Sequence, residues 1–527
     1  MKHQPLLRLL IGFICAVAVG RADAQVDSLV VGTKSDGTPL MARCYTFAQR
    51  VQNFSVSEDG NYLCLRMMET TKKGRVKPQG HVGYYNLTDN KLHWMMPINF
   101  NFEVASPLSE GMLVEHGKLT ALYNREDGQA LWSTQIYPIS VSDSLGYILG
   151  YNSPTSSRLK VVDLKSGEEL WRQKIPHQYG WSGVYEAADR QLLIVADDLH
   201  KLNLQTGELL TYKGVTGVVD KTGLLLKGLV TVATVAVAGA AMYGASGGTG
   251  TYTYVPYYYG VPSQSDVLTA ITSNVLITDS CYYWADRNHI VCLDTTLNVL
   301  WKTPFEDKAS QSHLFMQDDK LYMLNYGYVM KGAVKRKYGR PFIACYHPQT
   351  GEELFLNRLT LKRDILEDAV VSYGGLFGIF DDGVSYQSLT DSITTIVPWN
   401  KKVYGTLVGN ASELCYAINA DSTAFDPLLW DGEHCLVYNA SGDVYELDTD
   451  IRIRNTYPAE RVYRPAFTLR DYLCVGQRDD HWFIHHTGMP VAHLTTSFEM
   501  GRVVGNKLLL LQDHNRLLTI DLDEAIR

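Results

Sequence analysis

Residues 159–175 read LKVVDLKSGEELWRQKI, and this stretch decides the fold. It begins with an alternating apolar segment, continues through the turn residues Ser166 and Gly167, and ends in a segment that carries Trp171. Successive side chains of a β-strand point to opposite faces, and glycine supplies the left-handed conformation that tight turns need. The stretch is therefore typical of a β-hairpin with one large aromatic residue on its second strand.

The same hairpin pattern recurs along the chain. Gly128, Gly167 and Gly207 mark three successive turns, 39 and 40 residues apart. A constant period near 40 indicates stacked repeats. A further apolar pair around a turn precedes each copy, as in 139–152 and 313–329, so that each repeat is predicted to hold four strands. The other copies span 81–98, 119–136, 200–214, 289–304, 343–359 and 443–458, with a half-copy at 516–527.

Four-stranded sheets that repeat radially form a β-propeller. The sequence therefore predicts an all-β protein, a propeller of four-stranded blades over 25–527, with eight blades preferred and seven as the second choice. A solenoid is the alternative, but solenoid repeats are usually shorter and their strands do not come in fours. The half-copy lacks a partner strand, so an N-terminal stretch such as Ser28 to Thr33 is expected to complete its sheet and remove an exposed edge.

A large residue stands at a constant place in most copies. At this place it is expected to wedge against the next sheet and to bury their shared face. The residues four positions after the turn glycines are Trp132, Trp171, Thr211 and Phe355.

The N-terminus has the pattern of a secretory signal. Lys2 and Arg8 precede or flank an apolar run over 9–19, and Ala22-Asp23-Ala24 offers a cleavage site. The run is short for a transmembrane anchor. Residues 1–24 are therefore predicted to be a signal peptide, cleaved after Ala24, that directs the protein to the periplasm or cell envelope. Cys15 follows Ile14 rather than a small residue, so lipidation is not expected.

Charge and cysteine content exclude some classes of function. Removal of 1–24 takes three basic residues and one acidic residue from totals of 48 and 56, which leaves a net charge of −10. Nucleic-acid binders normally carry a basic face, so no nucleic-acid partner is predicted. The eight remaining cysteines have no metal-like spacing. If one pair forms a disulfide, Cys281 and Cys292 are the first candidates, because their apolar runs resemble neighbouring strands.

Residues 228–265, here called the insert, contain no charged residue. The first half is apolar and small, and the second half is rich in glycine and tyrosine. Exposed apolar segments of this length usually mark interaction or aggregation sites. The insert is predicted either to dip into a membrane or to hold a partner, and a long strand pair with a flexible tip remains the alternative. The candidate contact residues are Leu229, Val232, Val235, Val237, Tyr243, Tyr257, Tyr258 and Tyr259.

Two basic loops stand out in this acidic chain. Each follows the second strand of a repeat and precedes the third, and equivalent loops of a propeller emerge on the same face. Together with the insert they predict a face that meets a membrane surface, an envelope protein or another anionic ligand, although basic loops are often merely solvated. The loops carry Lys72, Lys73, Arg75 and Lys77, and Lys331, Lys335, Arg336, Lys337 and Arg340.

The segments VVDLKSGEELW (161–171) and ALYNREDGQALW (121–132) resemble the quinoprotein-type repeat. That family includes pyrroloquinoline-quinone dehydrogenases and the propeller component of the outer-membrane β-barrel assembly machinery, and the chain is similar in style to the latter. The dehydrogenases carry adjacent cysteines, a calcium site of Glu, Asn and Asp, and a catalytic Asp. This chain has no adjacent cysteines, and no motif matches the calcium ligands. The resemblance therefore implies the fold, with no cofactor, metal or catalytic residue.

Two classes of function remain open. The first is a non-catalytic exported scaffold that binds an envelope component through one face of the ring. The second is an enzyme with its site on the ring axis, such as a quinoprotein-type dehydrogenase or a glycan-processing enzyme. An axial pocket lined by acids, an arginine and a metal would favour the enzyme, and an axis filled with apolar side chains would favour the scaffold. The histidines of 481–493 have no carboxylate at clear spacing, so they do not predict a metal site.

Overall fold

The computed structural model describes residues 25–219 and 267–526 with short gaps. The gaps are 58–59, 72, 74, 117–118, 144, 154–155, 178–181, 188–189, 270, 306–308, 332–333, 360–363, 373, 391–393, 411–414, 419–424, 429–434, 470–471, 478–479 and 486–488. The predicted signal peptide and the insert lie outside the described residues. No helix in the described part of the chain is long and apolar enough to cross a membrane.

Strands make up nearly all of the described secondary structure. The first are β1 Gln25–Lys34, β2 Pro39–Thr46, β3 Val51–Val56, β4 Tyr62–Thr70, β5 Val76–Asn86, β6 Lys91–Asn99, β7 Glu103–Leu108, β8 Gly111–His116, β9 Leu119–Asn124, β10 Ala130–Thr134, β11 Tyr137–Ser142, β12 Tyr147–Tyr151, β13 Arg158–Asp163, β14 Glu169–Lys174, β15 Gly183–Ala187, β16 Gln191–Val195, β17 Leu199–Asn203 and β18 Leu209–Tyr212. The middle of the chain contributes β19 Val218–Val219, β20 Val267–Thr269, β21 Leu276–Ile277, β22 Cys281–Ala285, β23 His289–Asp294, β24 Val299–Pro304, β25 Ser312–Gln317, β26 Lys320–Asn325, β27 Tyr328–Lys331, β28 Val334–Lys337, β29 Phe342–Tyr346, β30 Glu353–Arg358, β31 Leu366–Ser372, β32 Gly375–Phe380, β33 Gly383–Ser388 and β34 Thr394–Pro398. The last are β35 Leu407–Asn410, β36 Cys415–Ile418, β37 Phe425–Leu428, β38 Cys435–Asn439, β39 Val444–Leu447, β40 Ile453–Tyr457, β41 Val462–Leu469, β42 Tyr472–Gln477, β43 Asp480–His485, β44 Pro490–Leu494, β45 Met500–Val504, β46 Lys507–Gln512 and β47 Arg516–Asp521, and the helices are α1 Lys401–Tyr404, a 3₁₀ turn Ala459–Arg461 and α2 Leu522–Ile526.

The chain divides into two compact units, and the first consists of Met1–Gln135, Lys165–Gly167 and Ala492–Arg527. Its described strands form the antiparallel sheets β3-β4-β5-β6 and β7-β8-β9-β10, and a third of β45, β46, β47 and β2. In this third sheet β2 pairs with β47 over Arg43–Thr46, so an N-terminal strand completes the C-terminal sheet. The expected N-terminal completion is present, but β2 supplies it, and the predicted stretch Ser28 to Thr33 lies one strand further out, in β1.

The second unit consists of Ile136–Leu164 and Glu168–Val491. Its described sheets follow the same antiparallel pattern: β11-β12-β13-β14, β15-β16-β17-β18, β21-β22-β23-β24, β25-β26-β29-β30, β31-β32-β33-β34 and β35-β38-β39-β40. Strands β41, β42 and β43 pair in this order as well. Besides these, β19, β20, β27 and β28 form a small separate sheet.

The predicted all-β propeller of four-stranded blades is confirmed by this strand pairing. The described residues form eight separate four-stranded sheets of this pattern, two of them in the first unit of the chain, besides the sheet that holds β45, β46, β47 and β2. The preferred blade number of eight, with seven as the second choice, stays a prediction. Whether 25–527 make a single propeller domain stays a prediction.

The aromatic wedge is confirmed at two of the named positions, Trp132 and Trp171, and two further copies show it at Trp94 and Trp301. A Cβ atom built on Gly351 would lie 2.2 Å from the Trp301 ring, and one on Gly167 would lie 2.5 Å from Trp132. Trp94 and Trp171 pack in the same way on Gly128 and Gly207. The indole N–H groups also bond to the next sheet: Trp171 Nε1 donates to Leu204 O at 2.8 Å, and Trp301 Nε1 donates to Pro348 O at 2.7 Å. The wedges at Trp171 and Trp301 therefore each join two successive sheets through packing and one hydrogen bond.

A β-bulge precedes the aromatic residue in these fourth strands. The pairing of β14 with β13 passes from Glu169 to Trp171 and leaves out Leu170, and β24 leaves out Leu300 in the same way. A bulge inserts one unpaired residue and re-aims the next side chain. Leu170 and Leu300 therefore point to solvent, more than half exposed, while the tryptophan turns into the next sheet.

Cys281 and Cys292 lie on neighbouring strands, as expected, but they are not opposite each other in the strand register. Cys281 on β22 faces Asp294, and Cys292 on β23 faces Tyr283. Both are free thiols and both are buried. Burial and the neighbouring Cys281 raise the pKa of Cys292 to about 12. The two residues are therefore thiols of the apolar core rather than a disulfide.

Candidate interaction surface

The small sheet of β19, β20, β27 and β28, here called the accessory sheet, joins two features that the sequence singled out. Strands β27 and β28 form the basic hairpin, which carries most of the second basic loop. Its partner β20 is the first described strand after the insert, and Leu268 pairs with Lys331 and Thr269 with Met330. The basic hairpin is therefore hydrogen-bonded to the chain that leads out of the insert.

The basic hairpin emerges where the prediction placed the second basic loop. The hairpin connects β26 to β29 along the chain, and these two are the second and third strands of their own sheet. Its strands pair antiparallel, with Tyr328 opposite Lys337 and Lys331 opposite Val334. The hairpin ends where Tyr338 N donates to Gly327 O at 2.7 Å. Gly327 has φ +72 and Pro341 is its close neighbour, so a side chain at 327 would be strained.

One face of the basic hairpin is anchored by carboxylates. Lys337 Nζ donates to Asp364 Oδ1 at 2.8 Å, and Lys335 Nζ donates to Glu367 Oε2 at 3.2 Å. Burial opposes ionisation of Asp364, but the hydrogen bonds from Lys337 and from its own loop hold the pKa of this carboxyl below its usual 3.8. The same contact raises the pKa of Lys337. These two lysines therefore hold the hairpin in place and offer little charge to a ligand.

The other face keeps its charge. Arg336 lies opposite Val329 and next to Val334, and both Arg336 and Val334 are exposed. Arg340, just after the hairpin, is exposed as well. Among the described residues, neither Arg336 nor Arg340 has an ion-pair partner. The predicted basic set is thus divided between two roles, since Lys335 and Lys337 anchor the hairpin and Arg336 and Arg340 face solvent.

The turn between β22 and β23 forms hydrogen bonds to two segments adjoining the accessory sheet. Arg287 donates from Nε and Nη2 to the Tyr338 hydroxyl at 3.0 and 2.7 Å, at the end of the basic hairpin. Its neighbour Asp286, which is buried, accepts from Val215 N at 3.0 Å in the segment that leads to β19. Adjacent residues of one turn therefore hold both ends of the accessory sheet. Sequence reasoning missed this pair, because an Asp at a turn has the same appearance wherever it occurs.

The first basic loop lies in the other unit of the chain. It connects β4 to β5, the second and third strands of their sheet, as predicted. Lys73 and Arg75 are exposed, and Lys77 Nζ lies 2.7 Å from Glu69 Oε2. Lys72 lies outside the described residues. That the two basic loops share one face stays a prediction.

The candidate contact residues of the insert also lie outside the described residues. They are Leu229, Val232, Val235, Val237, Tyr243, Tyr257, Tyr258 and Tyr259. Directly before the insert, the last described residues are the two of β19, Val218–Val219. The membrane, strand-pair and partner-binding hypotheses for the insert stay predictions.

Within the described ranges, no group of three or more His, Cys, Asp or Glu side chains is arranged to hold a metal ion. His481 is buried, and His485 packs against the Tyr472 ring at 5.1 Å. These two histidines therefore belong to the interior of their sheet.

The chain has only low similarity to solved structures. No protein-family model and no curated protein sequence matches it. Among solved structures, the computationally designed Ika8 protein is 10% identical with a TM-score of 0.32. The match covers 74% of this chain and 97% of the Ika8 chain. BamB from Moraxella catarrhalis is 12% identical with a TM-score of 0.29, covering 79% and 96%. Apo AztD from Citrobacter koseri is 9% identical with a TM-score of 0.30, covering 72% and 92%. The fold assignment therefore rests on the strand pairing of this chain itself.

Proposed function

We propose that this protein is a non-catalytic, exported β-propeller of the quinoprotein-like type, and that it works as a binding scaffold in the periplasm or cell envelope. It binds an envelope protein or a membrane surface through the accessory sheet and the segments beside it. The observation that carries the proposal is the pairing of β20 with β27. This pairing sets the strand that follows an uncharged 38-residue insert beside a hairpin that carries the exposed Arg336, with the exposed Arg340 just after it.

Apolar and basic groups cooperate at anionic surfaces. Basic residues near a charged membrane or an acidic protein supply attraction, and an apolar segment supplies the area to be buried. Arg336 and Arg340 are available for this purpose, because Glu367 and Asp364 take Lys335 and Lys337 instead. The exposed Lys73 and Arg75 of the first basic loop are proposed to add a second contact. A mature net charge of −10 disfavours nucleic acid as the partner.

Vesicle co-sedimentation tests the proposed surface. The exported protein is mixed with phosphatidylcholine vesicles that contain or lack phosphatidylglycerol, and with detergent-solubilised envelope for pull-down. Replacement of 229–262 by a short Gly-Ser linker, and the double variant Arg336→Glu with Arg340→Glu, are each expected to lower binding at least about tenfold in one of these assays. A tenfold loss of affinity corresponds to a loss of about 1.4 kcal/mol in binding free energy.

The control is Arg452→Glu, in the turn between β39 and β40, since Arg452 is mostly exposed and lies at the third-to-fourth-strand end of its sheet. It makes half the charge change of the double variant and is expected to leave binding unchanged. Wild-type binding by both the insert deletion and the arginine variant contradicts the proposal. The intact mass of the exported chain is expected to match a chain that begins at Gln25. A mass that includes residues 1–24 contradicts the predicted cleavage of the signal peptide.

A further inference from the structure

Strand β1 leaves one edge open over its first six residues. On one side it pairs with β2 from Gln25 to Thr33, but on the other only Gly32–Lys34 pair, with β44. Within the described residues, no strand lies against Gln25–Val30 on that second side. The backbone N–H and C=O groups along this edge are therefore ready to pair with another strand.

The side chains along this edge do not protect it. Native edge strands usually carry lysine or proline, which discourage pairing with another chain. Residues 25–30 contain neither, and Asp27 is their one charged residue. Val26 is 41% exposed and Val30 is 57% exposed, and Met41, opposite Val30 on β2, is 44% exposed. The edge thus has an apolar strip on the same face as its central residue, Ser28.

We propose that this edge pairs, antiparallel, with the same edge of a second copy of the chain, with Ser28 on the twofold axis. The sequence is self-complementary in this register. Val26 faces Val30 of the second copy, Asp27 faces Leu29, and Ser28 faces Ser28. Each apolar residue on the exposed face therefore meets an apolar residue, and no charged residue lies directly opposite a like charge, which would be unfavourable.

A second copy fits this edge better than an open series of copies. A twofold contact uses the same patch on both partners and is complete once two edges have met, so growth stops at the dimer. Six residues a side is a small contact compared with the roughly 800 Å² per partner of a standard interface. We therefore expect a reversible dimer with a dissociation constant in the micromolar range.

Disulfide trapping tests the register. The chain from Gln25 to Arg527 holds every described strand, and the native cysteines whose side chains are described are buried. In the variant Ser28→Cys, the two new thiols face each other across the axis, at a Cβ separation of about 4.5–5.5 Å that a disulfide nearly spans. Oxidised glutathione takes two electrons from the thiol pair and leaves two molecules of reduced glutathione, and the thiols lose two protons. In Val26→Cys the new thiols are four residues out of register.

We expect Ser28→Cys to form a covalent dimer at least about tenfold faster than Val26→Cys on non-reducing gels. Sedimentation equilibrium supplies the second readout. Val30→Lys is expected to weaken the dimer at least about tenfold, whereas Leu300→Lys, an equally exposed apolar residue on the edge strand β24, is expected to leave it unchanged. Equal trapping of both cysteine variants, or a wild-type chain that stays monomeric up to about 100 µM, overturns the proposal. The chain used lacks 1–24, so the result does not depend on export.

Discussion

At the residue scale, the wedge depends on a pair of residues about one repeat apart. A tryptophan in one sheet occupies the space that a side chain would need at the turn glycine of the next sheet, as with Trp301 and Gly351. Where Thr211 stands in place of the tryptophan, the turn of the next copy has no glycine and carries Leu297, buried and with φ +63. Leu297 packs in a cluster with Tyr212, so a leucine from the turn fills the space that the missing indole leaves.

Gly351→Ala tests the wedge, with Gly146→Ala as a matched control. Both glycines have left-handed backbone, φ +71 and φ +70, but Gly146 has no atom within 4 Å of its would-be Cβ. Both variants carry the backbone cost of about 1 kcal/mol, and Gly351→Ala is expected to lose a further 1–3 kcal/mol or so through overpacking against Trp301. Urea denaturation measures the difference. Equal losses of stability in the two variants would show that the wedge contributes nothing.

At the element scale, the basic hairpin shows how neighbouring strands decide what a charge does. Alternation along β28 sends Lys335 and Lys337 to one face and Arg336 to the other. The lysines of the first face contact the acids that precede and begin β31, whereas Arg336 on the second face is exposed. Within the four residues of β28, two lysines therefore anchor the hairpin through ion pairs, and Arg336 belongs to the candidate binding face.

Asp364→Asn is expected to loosen the anchor. The variant loses the charge of a mostly buried carboxylate, and the amides of 328–337 should exchange with solvent about three- to tenfold faster in hydrogen-exchange mass spectrometry at pH 7. Glu367→Gln, whose contact with Lys335 is more exposed, is the control and should change exchange less than about twofold.

The pH dependence of the anchor follows from the lowered pKa of Asp364. A carboxyl whose folded pKa lies below 3.8 adds stability above its unfolded pKa, and this stability is lost as pH falls through the folded pKa. Hairpin protection in the wild type, corrected for intrinsic exchange, should thus be constant from pH 7 to pH 4. A decline within that range contradicts an ionised, anchored Asp364.

At the scale of the whole molecule, the first unit of the chain is held by contacts between its two ends. Strand β2 pairs with β47 and so lies beside the last three strands of the chain in one sheet. Tyr45 of β2 is buried in a cluster with Leu517 of β47 and Tyr85 of β5. Such contacts are distant in sequence, and they form only after the chain closes a long loop.

Tyr45→Ala is expected to destabilise the protein by about 3–5 kcal/mol, because it opens a cavity in this cluster. Met41→Ala, on the exposed side of the same strand, is expected to change stability by less than about 0.5 kcal/mol. Chemical denaturation at low protein concentration measures both. Similar small losses would mean that β2 does not hold the C-terminal sheet.

Much of the fold was predictable because the repeat is local. The hairpin, its turn glycine and its wedge residue lie within about 17 residues of one another, so alternation and spacing alone predict a four-stranded blade and the place of its tryptophan. The blade number was less predictable, because the segments near 214–272 and 400–440 are degenerate in sequence. The described hairpins β27–β28 and β36–β37 also stand between the strands of regular sheets along the chain. The candidate surface was predicted only as two loops and an insert.

The sequence by itself determined the strand periodicity, the turns and the wedge residues Trp132 and Trp171, since each depends on side chains that are neighbours in the chain. Tertiary structure alone decided three features. The bulge before each tryptophan depends on pairing with the third strand, the roles of Lys337 and Arg336 depend on where Asp364 lies, and the junction of the basic hairpin with β20 joins segments about 60 residues apart. In each case the partner that determines the outcome lies across a sheet rather than along the chain, where periodicity carries no information.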